Sequence, residues 1–422
     1  MKIHPHNPKF FEREREGEAF FKKASPSQKN RSMSIHLMHI LTDTNIGGAG
    51  TLLCNQLRAL DRRRFTVTVV LPHGSRLADR IAAIPAPTRI VYSSRGADRS
   101  ADLKAIGDYL RIFRTHRPDI VHTHACLSAR IAARIARIPV CLHTRHCVFP
   151  LKPWQQRGAI APLHRLLYRT GDRLLSDGVI AVAEAAKQNL LALGADEQRI
   201  RVIVNGVYPL PIPSPARVEA LRAALQLPTD AFVVGMVARL EPYKGHQTLL
   251  EAAARCLQVS DRFYFLLLGD GSCADALHRT ACELGISAHI RMVGFVEDVA
   301  PYYGLMNVNV NASYGTETSS LALSEGMSLG IPAVASTYGG NTYMVRDRVN
   351  GLLFPTHDSI ALSHALLRLF QDEPLREQLS LGARAFFEQH LTAQAMTRQM
   401  EEYYNALYEQ KKRHKSKASA AL

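Results

Sequence analysis

The stretch Ser313–Ser336, "SYGTETSSLALSEGMSLGIPAVAS", carries two carboxylates, Glu317 and Glu325, in a run otherwise free of charge. Small and hydroxylic residues lead into an amphipathic segment from Ser320. Gly330 stops that segment, and Pro332 opens an apolar run. The pattern predicts a loop, a short helix and a buried strand in succession. Loop–helix–strand units of this kind build parallel sheets with crossover helices.

The same grammar extends in both directions. Upstream, the runs "SIHLMHIL", "FTVTVVLP", "DIVHTH", "VCLHT", "GVIAV" and "RVIV" read as strands. From Phe232 onward, so do "FVVGMV", "FYFLLLG", "HIRMVG", "NVNVNA", "IPAVAS" and "GLLF". Helical periods such as "GTLLCNQLRAL", "ARIAARIARI" and "HQTLLEAAARCL" fall between them. The Pro-rich stretch "NGVYPLPIPSPARVE", Asn205 to Glu219, reads as a linker. We therefore expect an α/β chain of two doubly wound, Rossmann-like domains, residues 33–208 and 209–389, facing each other across a cleft. A helix at about 390–410 is expected to pack back on the first domain. Residues 1–32 read as a mobile N-terminal extension and 411–422 as a basic tail.

Composition narrows the setting. Apolar residues make up 46% of the 422 and charged residues 21%, ordinary values for a globular protein. No apolar run approaches the roughly 18 residues of a membrane span. The first 32 residues are too charged for a signal peptide. Seven cysteines without paired short spacings point to a reducing compartment, hence a cytoplasmic protein. Charge is uneven: residues 33–209 hold 25 Lys+Arg against 12 Asp+Glu, whereas residues 210–400 hold 14 against 18. A basic first half predicts an anionic partner, and we expect peripheral attachment to an anionic membrane surface at the inner face of the cell membrane, not nucleic acid. Arg62, Arg63 and Arg64, with Arg130, Arg134 and Arg137, are the candidate contacts. The sequence is silent on oligomeric state.

In open parallel sheets, ligands bind beyond the carboxyl ends of the strands, and the distinctive residues cluster there. The first strand exits into "TDTNIGGAGTLL", where Gly47 and Gly48 allow close backbone approach and the next helix offers its amides to an anion. A clean G-x-G-x-x-G and an acidic ribose reader are both missing, which disfavours a dinucleotide site. "DIVHTHACLSA" sets His122 and His124 on one strand face. A metal set drawn from Cys126, Cys141, His143, His146 and Cys147 lacks C-x-x-C spacing, so no metal is expected. "GMVARLEPYKGHQTLLEAA" ends a buried strand at Arg239, with Lys244 just before a helix. Two cations beside a helix N-terminus form a diphosphate clamp. "LLLGDGS" adds a close-approach turn at Gly269 and Gly271. The helix opening at Ser320 and Leu321 aims its amides at the same anion. Glu325, deeper in that helix, suits the paired hydroxyls of a ribose, and Glu317 those of a second sugar.

The order and spacing of these pieces resemble the retaining GT-B glycosyltransferases of family four (glycosyl transferases group one), over about Ser34 to Tyr404. The resemblance rests on "ARLEPYKG", "LLLGDGS" and the seven residues between Glu317 and Glu325. It implies that Arg239 and Lys244 hold the donor diphosphate, Glu325 the nucleotide ribose and Glu317 the transferred sugar. It also places His124 against the donor sugar and Gly48 beside donor and acceptor. A nucleotide-sugar donor, UDP-sugar foremost, would react without a metal or other cofactor. The acceptor would be a glycan or lipid-linked sugar of envelope polysaccharide or lipopolysaccharide. One departure stands out: Thr318, Ser319 and Ser320 follow Glu317 where the family usually has a Gly-aromatic or Gly-Leu pair. A GT-B sugar-nucleotide epimerase and a catalytically silent GT-B partner subunit are the alternatives.

Overall fold

Among the described residues, 34–44, 47–94, 101–148, 151–156 and 160–420 of the computed structural model, the β-branched runs form two parallel sheets. The first holds β1 (Ile35–Ile40), β2 (Phe65–Pro72), β3 (Thr88–Ser93), β4 (Ile120–His124), β5 (Val140–Arg145), β6 (Gly178–Ala181) and β7 (Ile200–Val202). Its spatial order is 3-2-1-4-5-6-7. The second holds β8 (Phe232–Val237), β9 (Phe263–Leu268), β10 (Ile290–Gly294), β11 (Val308–Asn311), β12 (Ala333–Ser336) and β13 (Gly351–Phe354), ordered 10-9-8-11-12-13. Strands covered by helices on both faces are apolar throughout. Val233, Val234 and Met236 of β8 and Val308 and Val310 of β11 are accordingly buried.

Both sheets reverse their winding at one point, between β1 and β4 in the first and between β8 and β11 in the second. A crevice opens at such a switch point, beyond the carboxyl ends of the flanking strands. Those strands lead into Gly47, His124, Arg239 and Glu317. Topology alone therefore gathers these residues at one edge of each sheet.

The domains are joined by two chain crossings that bond to each other. Val207 N donates to Leu391 O and Ala393 N to Val207 O, both at 2.9 Å. The helix Glu373–His390 buries Phe386 and Phe387 in the second domain, in one cluster with Met327 and Met344. The helix Ala393–Ala420 instead buries Met396, Met400 and Tyr404 among Leu52, Leu57 and Phe65 of the first.

Several expectations differ from what the fold shows. The edge strand β3 was not among the predicted strands. The last helix runs through the segment read as a basic tail, and Lys411 Nζ pairs with Asp177 at 2.7 Å. Residues 1–32, read as an extension, lie outside the described residues. Two arginines assigned to a lipid surface are engaged internally: Arg130 faces Asp172 at 3.7 Å and Arg134 faces Asp177 at 3.0 Å. Arg62 is turned inward too, donating to Leu57 O and Thr88 Oγ1. Their helical spacing marks a packing stripe, because the acidic partners come from a segment 40 residues downstream.

Candidate active site

Strand β8 delivers the chain to Arg239, a 3₁₀ turn Pro242–Lys244 follows, and Gly245 turns it into the helix His246–Leu257. Gly245 has φ 81°, and a Cβ there would strike Ala312 O at the end of β11. Only glycine lets this turn lie so close to β11. Lys244 is thereby set opposite the loop after β11, and its Nζ meets Glu317 Oε2 at 2.8 Å. Arg239 donates through Nη2 to Tyr243 Oη at 2.6 Å, and its guanidinium and the Lys244 ammonium lie 6.0 and 5.8 Å from the centre of the Tyr243 ring.

Glu317 is buried, with its Oε2 also accepting from Ser313 Oγ at 3.0 Å and Asn311 Nδ2 at 3.3 Å. Burial pushes the carboxyl up, but Lys244 and these two donors outweigh it and leave Glu317 below the ordinary carboxylate range. Beneath them Asn341 Nδ2 donates to Ser336 Oγ at 3.1 Å, extending a buried polar layer under the strand ends.

Each residue of Glu317–Ser320 is held by a different part of the molecule. Thr318 Oγ1 crosses the cleft to His146 O at 2.8 Å. Ser319 O accepts from Asn205 Nδ2 of the interdomain crossing at 3.4 Å. Ser320 caps the helix Leu321–Ser328, its Oγ accepting from Leu323 N at 3.3 Å, with half-buried Leu321 as first helical residue.

Glu325 lies one turn further into that helix, beside Tyr303. Tyr303 Oη donates to Ala322 O at 2.8 Å and lies 3.4 Å from Glu325 Oε2. A phenol has one proton, and the shorter contact claims it. The Glu325 carboxyl is thus left nearly without a donor, and burial pushes it up to about 7 despite the Tyr303 contact.

On the facing edge, His124 ends β4. Its Nε2 lies 3.2 Å from His39 Nδ1 and its Nδ1 lies 2.9 Å from His146 Nε2. Burial, then mutual proximity, holds His39, His122 and His124 far below the ordinary imidazole range, and burial takes His146 to about 4. Nitrogens of His39, His122 and His124 all lie within 4.8 Å of one another, a potential metal set. Both nitrogens of His122 are hydrogen-bonded, to Tyr404 Oη and Thr144 Oγ1 at 2.7 Å each, and both of His124 to its neighbours, whereas His39 Nε2 is buried without a partner among the described residues. Of the earlier metal candidates, Cys126 and Cys141 are core residues and His143 bonds Ser176.

The glycines divide. Gly47 precedes the helix Gly48–Ala59 and faces Asp43, while a Cβ on Gly48 would meet open space. Gly269 and Gly271 approach protein, not a void: side chains there would strike Ala238 O and Leu240 O. They brace the turn that carries Arg239. Lys244, Glu317, Thr318 and, through His146, His124 form one connected group. Arg239 adjoins it through Tyr243, whose ring Lys244 also faces, and Glu325 stands apart beside Tyr303. His39, Asn311, Ser313 and Tyr303 had no place in the sequence-derived site, and His146 entered it only within the metal set that spacing disfavoured. The register of β1 beside β4, which pairs His39 with His122, is the signal that finds the first. A hollow of about 1000 Å³ opens at the opposite, amino end of β11 and β12, lined by Tyr303, Met306 and Pro332, and holds none of the residues selected from the sequence.

Two family models match the chain: Glycosyltransferase Family 4 over residues 46–209 and Glycosyl transferases group 1 over residues 217–386. The chain is 30% identical over 317 residues to a D-inositol 3-phosphate glycosyltransferase of Mycolicibacterium smegmatis, spanning 72% of each. It is 25% identical over 355 residues to the UDP-Gal:alpha-D-GlcNAc-diphosphoundecaprenol alpha-1,3-galactosyltransferase of Escherichia coli, spanning 82% of this chain and 91% of that one. Among solved structures, Anabaena Alr3699/HepE in complex with UDP and glucose matches with a TM-score of 0.74 at 20% identity. That match covers 88% of this chain and all of the other, and it is a likeness of fold.

Proposed function

The chain belongs to the glycosyl transferases of group 1, and on that premise we propose that it transfers a sugar, with retention, from a UDP-sugar to a glycan or lipid-linked acceptor of envelope polysaccharide. The observation that carries this reading is the buried Lys244–Glu317 pair at the switch point of the second sheet. It sets a cation for the departing diphosphate beside an anion for the transferred sugar.

In this reading Lys244 and Arg239 meet the diphosphate as its charge develops during bond cleavage, stabilising the leaving group electrostatically. Three donors converge on Glu317 Oε2, which leaves Oε1 for a hydroxyl of the donor sugar. Glu325 receives the ribose hydroxyls as a carboxylate. His124, neutral and fixed by His39 and His146, faces the sugar from the first domain. Retention follows from front-face attack by the acceptor hydroxyl, whose proton passes to the leaving diphosphate. The chemistry needs no metal, because protein cations meet the phosphates.

The UDP donor is supported by the names of relatives that bind UDP or use UDP-galactose, and the lipid-linked acceptor by the diphosphoundecaprenol substrate named for the E. coli relative. In this reading the reaction takes place in the cytoplasm at the inner face of the membrane. A thermal-shift series with UDP, GDP and ADP tests the donor, since a ligand at a hundred times its Kd stabilises by about 2.7 kcal/mol. UDP should raise the melting temperature most, and UDP release from the matching sugar nucleotide should persist in EDTA. Stabilisation by another base, or loss of turnover in EDTA with recovery in Mn²⁺, would contradict the reading.

A further inference from the structure

The 3₁₀ turn Pro242–Lys244 places Tyr243 between Arg239 and Lys244, the two cations of the proposed diphosphate site. Pro242 fixes φ at the first position of the turn. Backbone bonds close it: Lys244 N donates to Glu241 O at 3.0 Å and Gly245 N to Pro242 O at 3.1 Å. The turn is also seated on the loop that carries Glu317, because Tyr314 N donates to Tyr243 O at 2.9 Å. A Cβ on Gly315 would come within 2.9 Å of Tyr243 Cβ, so a side chain there would push that loop off the tyrosine.

Tyr243 is half-buried on this seat, whereas Arg239 is exposed. An exposed arginine samples many rotamers, and an anion that recruits it must first restrict them. Tyr243 Oη already accepts from Arg239 Nη2 at 2.6 Å. The ring centre lies 6.0 Å from the guanidinium and 5.8 Å from Lys244 Nζ, at the outer reach of cation–π attraction. The hydroxyl therefore supplies most of the restraint. It uses one guanidinium N–H and leaves the others for phosphate oxygens. Among the described residues no carboxylate pairs with Arg239, whereas Glu317 holds Lys244 at 2.8 Å. A neutral hydroxyl fixes the arginine without cancelling the charge that a diphosphate requires.

We propose that Tyr243 is a positioning residue of the diphosphate site, holding the Arg239 guanidinium beside Lys244 before the nucleotide arrives. It acts through Arg239, not on the donor itself. The inference rests on the proposed function, which assigns the two cations to the diphosphate, and adds the side chain that orients one of them.

A double-mutant cycle tests this, with UDP and uridine titrated calorimetrically into the full chain. Tyr243→Phe keeps the ring and removes the hydroxyl, and should bind UDP about three- to tenfold more weakly than wild type. Uridine, without phosphates, should bind both alike, which a general loss of structure would not allow. In the Arg239→Ala background the same substitution should change UDP affinity less than about twofold, since the hydroxyl then has nothing to orient. The inference is overturned if Tyr243→Phe binds UDP as wild type does while Arg239→Ala binds it weakly, a result that leaves the donor site standing. Equal losses in the wild-type and Arg239→Ala backgrounds also overturn it, because the hydroxyl would then meet the phosphate directly. Wild-type UDP affinity in both Arg239→Ala and Lys244→Ala contradicts the diphosphate site itself, and the inference with it.

Discussion

Thr318 Oγ1 donates to the carbonyl oxygen of His146 at 2.8 Å, and His146 Nε2 in turn lies 2.9 Å from His124 Nδ1. The loop carrying Glu317 is thereby tied to the first-domain histidines across the cleft. The hydroxyl residues after Glu317 thus have a mechanical consequence: Thr318 fixes the distance between the two faces of the site.

Thr318→Val keeps the shape and removes the hydroxyl. A net hydrogen bond contributes about 0.5–1.5 kcal/mol, so transfer efficiency should fall roughly two- to tenfold. UDP affinity should be unchanged, because the residues proposed for the ribose and diphosphate, Glu325, Arg239 and Lys244, lie within the second domain. Steady-state kinetics beside calorimetry checks the split, and equal loss of both would place Thr318 in the donor site itself.

Lys244 and Glu317 form a largely buried pair, with side chains 18% and 8% exposed. Removing one partner leaves the other uncompensated, at a cost of about 3–5 kcal/mol. Lys244→Ala should therefore be less stable than Lys244→Ala combined with Glu317→Gln. Urea denaturation compares them, and a double variant no more stable than the single would mean that Asn311 and Ser313 alone satisfy Glu317.

Glu325 is pushed up to about 7 by burial. A ribose hydroxyl pair needs its carboxylate, so UDP affinity should rise as pH increases through about 7. In Glu325→Gln it should be weak and flat with pH. Stability has the opposite sign. The folded protein holds this proton above the ordinary value of 4.5, so the contribution is fully present below about 4.5 and is lost as pH rises through about 7. Ligand-free Glu325→Gln should lack that part of the decline in melting temperature between those values.

The alternation of short apolar runs with helical periods was enough to read two doubly wound domains, because buried parallel strands are apolar on both faces. Strand β3 escaped: it is an edge strand with Arg89 and Tyr92 exposed, so its apolar signal is diluted. Arg239, Lys244, Glu317 and Glu325 were legible because each follows or caps a strand–helix junction in a stretch poor in other charge. His39 and His146 were not, since sheet order brings the first to His124 and loop packing the second. Gly269 and Gly271 were legible as glycines, but that they brace Ala238–Leu240 requires the neighbouring backbone. Arg130 and Arg134 misled because a stripe paired with Asp172 and Asp177 has the same period as one facing lipid.

The central claim is that Arg239 and Lys244 hold the diphosphate of a nucleotide donor. Calorimetric titration of UDP and of uridine into wild type, Arg239→Ala and Lys244→Ala tests it most directly. A charged hydrogen bond is worth about 1.5–3 kcal/mol, so each variant should bind UDP roughly ten- to a hundredfold more weakly. Uridine, which has no phosphate, should bind all three alike. UDP affinity equal to wild type in both variants would contradict the account.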